Sequence, residues 1–436
     1  MMKRIIRFKR STIVIIIIAS CVFALEKCID KKNDKEVNDK SVNDKIVNDK
    51  AIILKNVNFQ QFAGSSKCAS CHKNIYEHHL HTAHYLTSQP ALAKYIKGSF
   101  VTGKNRYTYN PSLYIAMEKR DSGFYQVVYF KGVEKKDLRF DIAIGSGVKG
   151  QSYIYWLNNR LFQLPITYFT IADQWSNSPG FPNKVLFDRP ITSRCIECHA
   201  TFADKISPPG GEPEEFDHNK FLFGVDCEKC HGPAARHVEF QTQNPKETKG
   251  KYIINPARLS RQQNLDLCAL CHGGNIKKIQ PSFSFTAGDT LSDYFVMDTL
   301  STAAINFGTI DVHGNQYGLL KASKCFRLSG TMTCNTCHNT HENERGKLAL
   351  FSQRCMVCHN AEHGNFCTIH DPTLVSSLKE NCIDCHMPAK RSQSIVLSVP
   401  GEDFPRAAIF RSHFISLYPD ETKKFIADKN KTHQKD

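Results

Sequence analysis

One short pattern, Cys-x-x-Cys-His, occurs seven times in this chain of 436 residues, with the same spacing in every copy. Two thiols at this spacing can each bond to one porphyrin while the adjoining imidazole reaches its iron, so the pattern predicts c-type haem attachment. Zinc knuckles and disulfide frameworks also use cysteine pairs, but zinc does not need a histidine directly after each pair. We therefore expect seven covalent haem c groups, each with a proximal histidine from its own motif. The motifs, numbered 1 to 7 in chain order, are Cys68-Ala-Ser-Cys71-His72, Cys195-Ile-Glu-Cys198-His199, Cys227-Glu-Lys-Cys230-His231, Cys268-Ala-Leu-Cys271-His272, Cys334-Asn-Thr-Cys337-His338, Cys355-Met-Val-Cys358-His359 and Cys382-Ile-Asp-Cys385-His386.

The first twenty residues are typical of a bacterial lipoprotein signal peptide, which we expect over residues 1–20. Basic residues precede the apolar run Ile13–Ile18, and Ile18-Ala19-Ser20-Cys21 matches a lipobox, in which the cysteine receives a lipid. An uncleaved anchor is the alternative, but the uncharged stretch Ser11–Leu25 has 15 residues, fewer than the roughly 20 that span a bilayer. We expect an exported protein, attached to a bacterial membrane through lipidated Cys21 and facing the periplasm or the cell exterior.

A low-complexity segment follows at residues 21–57. Its Asn-Asp-Lys unit returns every five residues between Asn33 and Lys50. A period of five matches neither a helix nor a strand, and the charges alternate, so a solvated, disordered tether is expected. An interaction tail is the alternative.

The net charge gives little information about partners. The formal value is +15, but loss of the signal-peptide cations and about −1 from each ferric haem bring the mature oxidised protein to about +3. No nucleic-acid motif accompanies the basic residues, so no nucleic-acid partner is expected.

The long gap between motifs 1 and 2 has strand character. Leu113–Met117 and Phe124–Phe130 flank the turn residues Asp121-Ser-Gly123, which predicts a β-hairpin. We expect a small antiparallel insert of four to six strands over residues 100–190. Further strand-like segments are Leu138–Ile144, Gln151–Trp156 and Leu161–Leu164.

The expected fold class is mainly α, a haem-packed cytochrome with short helices and long loops plus this β insert. The haem regions have little room for a conventional core, because large porphyrins replace apolar side chains. We expect a first haem segment at 58–99, a six-haem domain at 191–415 and a charged tail at 416–436. Leu374–Asn381, just before motif 7, is one predicted helix.

A glycine-rich segment inside the insert, Gly145-Ser-Gly147-Val-Lys-Gly150, matches G-x-G-x-x-G. This fingerprint holds a pyrophosphate only when it leaves a strand and opens a helix. Strand-like aromatic residues follow it here, so we predict a tight glycine turn and expect no nucleotide.

The number of histidines determines whether every haem iron can have two imidazole ligands. Of the 19 histidines, seven are proximal, and seven more would be needed as distal ligands. Met117 and Met297 are the remaining methionine alternatives, and two-histidine ligation is the expected state. The best distal candidates are His84, His218, His237, His313, His341, His413, and either His363 or His370, of which we favour His370.

Cysteines outside the motifs and the N-terminal segment are Cys325 and Cys367. In an oxidising compartment they form a disulfide or remain free thiols, and the sequence does not fix which.

At these residues the chain resembles the cytochrome c-552/4 family of multihaem cytochromes. The resemblance rests on motif 1 with Thr82-Ala-His84, on Val225–Pro233 with His237, on motif 5 with His341, and on Cys382–Pro388. It implies distal ligation by His84, His237, His313, His341 and His413. The same superfamily includes electron carriers, hydroxylamine oxidoreductases and cytochrome c nitrite reductases. The Cys-x-x-Cys-Lys motif usual in the nitrite reductases is missing here.

Three functions follow as hypotheses. The first is an electron carrier between a membrane donor, such as a quinol-linked protein or another cytochrome, and a periplasmic or external acceptor. The second is an oxidoreductase of a small nitrogen or sulfur compound at one five-coordinate haem, where Tyr168, Arg194 and His218 would be candidates for orienting substrate or protons. The third is a structural subunit of a respiratory complex, with the β insert as its docking surface.

Overall fold

The structure, a computed structural model, describes residues 57–297, 310–369, 371–399 and 403–433. The expected signal peptide, Cys21, the tether as far as residue 56, and the candidate ligand His370 lie outside the described residues. The described residues from Val57 onward form one compact unit.

The expectation of a mainly α fold is wrong. Helices make up 30% and strands 25% of the structure, and the described residues contain six antiparallel sheets. Each motif needs only one or two helical turns, and the segments between motifs carry aromatic and aliphatic alternation that pairs as strands. Phe216–Phe223, for example, pairs with Ala200–Lys205 between motifs 2 and 3.

The strands are antiparallel and mostly short. A four-stranded sheet has the order β2-β3-β4-β5 and a five-stranded sheet the order β1-β6-β7-β8-β11, while the other four sheets are two-stranded pairs. In chain order the strands are β1 (Ser88–Pro90), β2 (Arg106–Asn110), β3 (Leu113–Arg120), β4 (Gly123–Phe130), β5 (Val133–Arg139), β6 (Ile142–Ile144), β7 (Ser152–Leu157), β8 (Arg160–Gln163), β9 (Ile166–Phe169), β10 (Gln174–Asn177), β11 (Arg189–Pro190), β12 (Ala200–Lys205), β13 (Phe216–Phe223), β14 (Lys277–Lys278), β15 (Phe295–Val296), β16 (Ala389–Leu397) and β17 (Arg406–Arg411).

The helices are short except at the C-terminus. Most of them carry a motif or lead into one. The α-helices of the described residues are α1 (Ser65–Cys68), α2 (Lys73–His79), α3 (Ser193–His199), α4 (Cys227–His231), α5 (Ala235–Gln243), α6 (Arg261–His272), α7 (Gln316–Ala322), α8 (Lys324–Leu328), α9 (Leu348–Met356), α10 (Val375–Glu380), α11 (Ile383–His386) and α12 (Pro419–His433). Helix α10 confirms the helix predicted before motif 7.

The β insert is larger than expected, with ten strands, β2 to β11, between residues 100 and 190. The predicted hairpin is confirmed as β3 and β4, which pair from Leu113 opposite Phe130 to Arg120 opposite Gly123. The predicted strand Leu138–Ile144 is instead two strands, because the chain leaves one sheet at Phe140 and enters the other. The short strands β9 to β11 lack the alternation that would have shown them in the sequence.

The core of the insert receives side chains from both of its larger sheets. Met117 from β3, Tyr153 from β7 and Trp175 from β10 belong to one buried cluster. Met117 is fully buried there, among residues of the insert. The sulfur of Met117 is therefore surrounded by side chains of the insert and is not placed at a haem motif.

The five-stranded sheet also packs against the motif regions. Ile154 and Leu161 of this sheet share a second buried cluster with Ile196 of α3 and with Phe202 and Phe216 of the β12–β13 pair. Motif 2 therefore sits directly against the insert.

The glycine turn predicted between residues 145 and 150 is confirmed. It joins β6 to β7, so a strand follows the turn where a nucleotide site would need a helix. Gly147 has φ +77°, and a Cβ there would lie 2.4 Å from Lys97 Cγ. Glycine thus serves close packing at this position.

Candidate haem attachment sites

Every motif lies on a helix or a helical turn. In motifs 1, 5, 6 and 7, the amide of the histidine donates a hydrogen bond to the carbonyl of the first cysteine, at 2.8 to 3.1 Å. One turn of helix therefore places the two sulfurs and the imidazole of a motif around the same volume, as covalent haem attachment requires. The local backbone fits the cofactor that the sequence predicts.

Caps fix the starts of two motif helices. The side chain of Asp226 accepts a hydrogen bond from the Cys227 amide at 2.8 Å, at the start of α4. Ser260 and Gln263 form a reciprocal capping box at the start of α6. These contacts satisfy amides that would otherwise lack partners and orient the helices that carry motifs 3 and 4.

Three histidine pairs have the spacing of two imidazoles on opposite sides of one iron. With the metal–nitrogen bond at about 2 Å on each side, the ring centroids would be about 6 Å apart. Each pair joins a motif histidine to a distal candidate. The centroid distances are 6.2 Å for His272 with His84, 6.1 Å for His231 with His341, and 6.1 Å for His338 with His413.

Hydrogen bonds at Nδ1 determine which nitrogen these rings leave for a metal. His231 donates from Nδ1 to the Ile254 carbonyl at 2.8 Å, and His386 donates to the Ser416 carbonyl at 2.9 Å. His237 donates in the same way to the Lys251 carbonyl at 2.8 Å. A carbonyl only accepts, so each neutral ring keeps its lone pair on Nε2, where it can bind iron.

Two distal candidates are held in the neutral form that binds iron. Desolvation, with smaller contributions from neighbouring histidines, lowers the pKa of His84 to about 4 and that of His413 to about 4. A neutral imidazole has a free lone pair at pH 7, so no proton has to leave before ligation.

The position of His84 is fixed by the backbone. Its carbonyl accepts a hydrogen bond from the Val225 amide at 2.9 Å. The preceding Gly224 has φ +69°, and a Cβ there would lie 2.3 Å from the Tyr85 carbonyl oxygen. A glycine at 224 therefore lets the loop of His84 lie against the start of motif 3.

His313 is placed towards motif 2 without forming a ring pair like the three above. Desolvation and the nearby charge of His313 lower the pKa of His199. His199 and His413 each bury Nδ1 without a protein hydrogen-bond partner.

His218 is placed away from the motifs. Its ring stacks on Trp156 with centroids 3.8 Å apart, and Nε2 donates to the Asn158 carbonyl at 2.7 Å. The nitrogen that usually binds iron is therefore already used. This placement does not support the predicted distal role or the catalytic role considered for His218.

Motifs 6 and 7 differ from motifs 3, 4 and 5 because, among the residues that the structure describes, their histidines are not paired with a second histidine ring. His359 is exposed, and Nδ1 of the neighbouring His363 donates to the Cys358 carbonyl at 3.1 Å. His386 is oriented by Ser416, as described above. In the described ranges, no ring contact joins His359 or His386 to another histidine.

Thiols of different motifs lie next to each other. Thiols of motifs 1 and 3, 2 and 4, 4 and 5, and 6 and 7 lie close enough to shift each other's pKa values. The pKa of Cys268 in motif 4 is raised by its bond to Cys334, by burial and by nearby thiols that include Cys230 of motif 3. The pKa of Cys337 in motif 5 is raised by burial and by nearby thiols that include Cys358 of motif 6. The motifs therefore follow the spatial order 1, 3, 4, 5, 6, 7, with motif 2 beside motif 4.

Cys325 and Cys367 are free thiols in the structure, so the disulfide alternative does not hold. Cys325 lies near motifs 5 and 6, where it contributes to the raised pKa of Cys337. Cys367 packs in a cluster with Cys385 of motif 7. Their separation follows from tertiary packing that cysteine spacing does not reveal.

The other residues considered for catalysis have structural contacts. Arg194 pairs with Glu197 at 3.0 Å and donates to the Leu270 carbonyl at 3.0 Å, which links motifs 2 and 4. The hydroxyl of Tyr168 donates to Asp173. Neither side chain is singled out for substrate.

One buried histidine beside the motifs, His79, is not among the predicted distal ligands. His79 is 7% exposed, lies 3.4 Å from Asp226, and has its ring centroid 6.5 Å from that of His341. The crowding of four histidines between residues 78 and 84 was the available signal.

In the described ranges, every helix is too short or too polar to cross a bilayer.

Comparison with known proteins gives two matches. The family model described as cytochrome c554 and c-prime matches residues 183–232, which contain motifs 2 and 3. No curated protein matches. Among solved structures, the chain is similar to the one titled "Crystal Structure of Outer Cell Wall Cytochrome OcwA", with 16% identity, coverage of 84% of this chain and 81% of that chain, and a TM-score of 0.49. The repeated attachment motifs and the family match identify this chain as a multihaem c-type cytochrome.

Proposed function

We propose that this protein is a heptahaem electron carrier, exported and tethered to a bacterial membrane through lipidated Cys21. Electrons would pass between a membrane donor, such as a quinol-linked protein or another cytochrome, and a periplasmic or extracellular acceptor. A bound haem c supplies one reversible electron at its iron. The protein's part is to hold neighbouring sites close together and to close each iron against substrate.

Three histidine pairs, with ring centroids 6.1 to 6.2 Å apart, support electron transfer over catalysis. An iron with two imidazole ligands has no open position for a substrate. We assign His84 to the haem of motif 4, His341 to that of motif 3, and His413 to that of motif 5.

The other assignments follow from proximity. Burial, with the charges of His72 and His237 among the further causes, lowers the pKa of His231. Both charges act on His231, and because His341 is paired with His231, we assign His237 to His72 of motif 1. His313 is assigned to motif 2.

The distal ligands of motifs 6 and 7 are assigned from the remaining candidates. His363 lies beside motif 6, and His370 remains the proposed ligand from the sequence. His218 is left out, because Nε2 already donates to a carbonyl.

Exposure indicates where partners could exchange electrons. Cys71 and His72 of motif 1 are exposed, and so are Cys358 and His359 of motif 6. Motif 1 begins the spatial order of motifs and motif 6 lies near its other end. Donor and acceptor would therefore meet different faces of the protein.

Absorption and electron paramagnetic resonance spectra of the purified protein test the proposal. A carrier gives low-spin signals from every haem and no spectral change with nitrite, hydroxylamine or cyanide. A high-spin signal that responds to one of these compounds, together with turnover, would contradict it.

The oxidoreductase alternative is favoured by one observation at motif 6. His359 is exposed and has no histidine ring in contact within the described residues. An open iron there would bind a small nitrogen or sulfur compound. A high-spin signal that disappears when Cys355 and Cys358 are replaced by Ser would support this alternative.

A further inference from the structure

Two histidines assigned as iron ligands are oriented by the same short loop, residues 251–254. Nδ1 of His231, the proximal histidine of motif 3, donates to the Ile254 carbonyl at 2.8 Å, and Nδ1 of His237 donates to the Lys251 carbonyl at 2.8 Å. The Ile254 amide also donates to the His231 carbonyl at 3.0 Å. The two acceptor carbonyls lie in a segment outside helices and strands, so neither a helix nor a sheet fixes their directions.

Tyr252, which lies between these two carbonyls in the chain, packs its ring on helix α5. The guanidinium carbon of Arg236 lies 3.7 Å from the centroid of the Tyr252 ring. The ring of Phe240 lies 5.5 Å away at 77°, an edge-to-face contact. Arg236 and Phe240 are four residues apart on α5 and therefore neighbours on its surface, and His237 belongs to the same helix. The Tyr252 ring thus holds the loop against the helix that carries His237.

The backbone of Tyr252 depends on these ring contacts. Its φ is +57°, in the left-handed region that a bulky residue rarely adopts. The cation–π contact with Arg236 and the edge-to-face contact with Phe240 are both favourable and offset this cost. Tyr252 is 36% exposed, so without its ring the loop can change conformation and water can replace the two carbonyls as acceptor.

We propose that Tyr252 is a positioning residue that fixes the Nδ1 hydrogen bonds of His231 and His237, and through them the reduction potentials of two haems. This inference rests on the proposed function, which makes the two histidines ligands of different irons, in motif 3 and in motif 1. A hydrogen bond from Nδ1 to a carbonyl raises the basicity of an imidazole ligand. A more basic ligand stabilises ferric over ferrous iron, so both bonds lower the reduction potentials of their haems.

Spectroelectrochemical titration of the holoprotein tests this role. Because one loop supplies both carbonyls, Tyr252→Ala should raise the midpoint potentials of two haems together. We expect a change of about tenfold in each reduction equilibrium, or about 59 mV for one electron. Tyr252→Gly also lacks the ring but accepts the positive φ without strain, so it should give the same shift. The haem count and the low-spin spectrum of each variant show that both ligands are still bound.

Tyr252→Phe is the conservative variant, since it keeps the ring, and its potentials should equal those of the wild-type protein. Tyr114→Ala is the matched control. Tyr114 also has a stacked ring, 5.0 Å from that of Tyr129, but it belongs to β3 of the insert. The positioning role is refuted if Tyr252→Ala and Tyr252→Gly shift no potential or only one, or if Tyr114→Ala gives the same paired shift.

Failure of the carrier proposal would look different. A high-spin haem in the wild-type protein that responds to cyanide, together with turnover, would contradict the carrier, while a paired shift in Tyr252→Ala would still support the positioning role. Low-spin signals from every wild-type haem, with unchanged potentials in Tyr252→Ala, would leave the carrier intact and refute only the role of Tyr252.

Discussion

At the scale of single residues, the motif spacing predicts each proximal histidine, whereas the sequence offers the distal histidines only as a set of candidates. A histidine that directly follows Cys-x-x-Cys is tied to its haem by covalent spacing. A distal histidine is brought in by tertiary packing, as Val225 and Gly224 do for the loop of His84. His218 shows the limit of a count of spare histidines, because its hydrogen bond to Asn158 joins two segments that are 60 residues apart.

The assignment of His413 predicts a spin change in one haem. His413→Ala removes the second imidazole from the haem of motif 5, so that haem becomes high-spin and binds one carbon monoxide per protein after reduction. Electron paramagnetic resonance and carbon monoxide titration measure this. His218→Ala is the control and keeps the wild-type spectrum, because its ring is engaged with Trp156 and Asn158. The assignments are wrong if His218→Ala changes the spin state and His413→Ala does not.

At the scale of elements, the short helices at the motifs follow from the motifs themselves, and the hairpin β3–β4 follows from its turn residues. The paired strands between the motifs did not, because β12 and β13 depend on each other across an intervening loop. The sequence also gave no sign that Glu228, inside motif 3, would join two segments. Its carboxylate is 5% exposed and accepts hydrogen bonds from the amides of Ala63, Gly64 and Ala234, at 2.7 to 2.8 Å.

Replacement of Glu228 is predicted to destabilise the protein. Glu228→Ala leaves three amides without their acceptor, so we expect the free energy of unfolding to fall by about 3 kcal/mol. Urea unfolding of the holoprotein, followed by circular dichroism, measures the change. Glu239→Ala on α5 is the matched control, because Glu239 is exposed, and its effect should stay within about 0.5 kcal/mol. Equal midpoints for the two variants would show that these hydrogen bonds contribute little.

At the scale of the whole molecule, the number of motifs predicts the number of haems. We predict that the intact mass and a pyridine haemochrome assay give seven haems per chain. Cys198→Ser removes one of the two thiols of motif 2 and should lose or weaken one attachment. Arg194→Gln is a suitable neighbour control, since it touches the same motif without removing a thiol. A wild-type count of four or five would refute the interpretation of the motifs.

The tether predicts how the whole molecule is attached to the membrane. Cys21→Ser removes the lipidation site, so the haem protein should be released in soluble form or remain as an unprocessed membrane-bound precursor. Membrane fractionation and mass spectrometry of the N-terminus distinguish these forms. Mature wild-type protein that begins well beyond Cys21 and carries no lipid would contradict the anchor. Ser20→Ala, which keeps the cysteine, is the control and should remain membrane-bound.

The spatial order of the motifs predicts which haems long-range transfer depends on. Motif 4 contacts motifs 2 and 5 through its thiols and lies near motif 3, so it joins the two halves of the series. Motif 2 is a side branch. Cys268→Ser/Cys271→Ser should therefore slow electron passage from the motif 1 end to the motif 7 end by at least tenfold. Cys195→Ser/Cys198→Ser is the matched control, since it also removes one haem but leaves the series continuous.

Stopped-flow reduction, with each variant first shown to keep all its other haems, measures this passage. Transfer between neighbouring haems depends steeply on separation, so a missing haem in the series costs far more than a missing branch. Equal slowing in the two variants would mean that motif 2 belongs to the main series. No slowing in the motif 4 variant would mean that electrons bypass motif 4, and the order derived from the thiol contacts would be wrong.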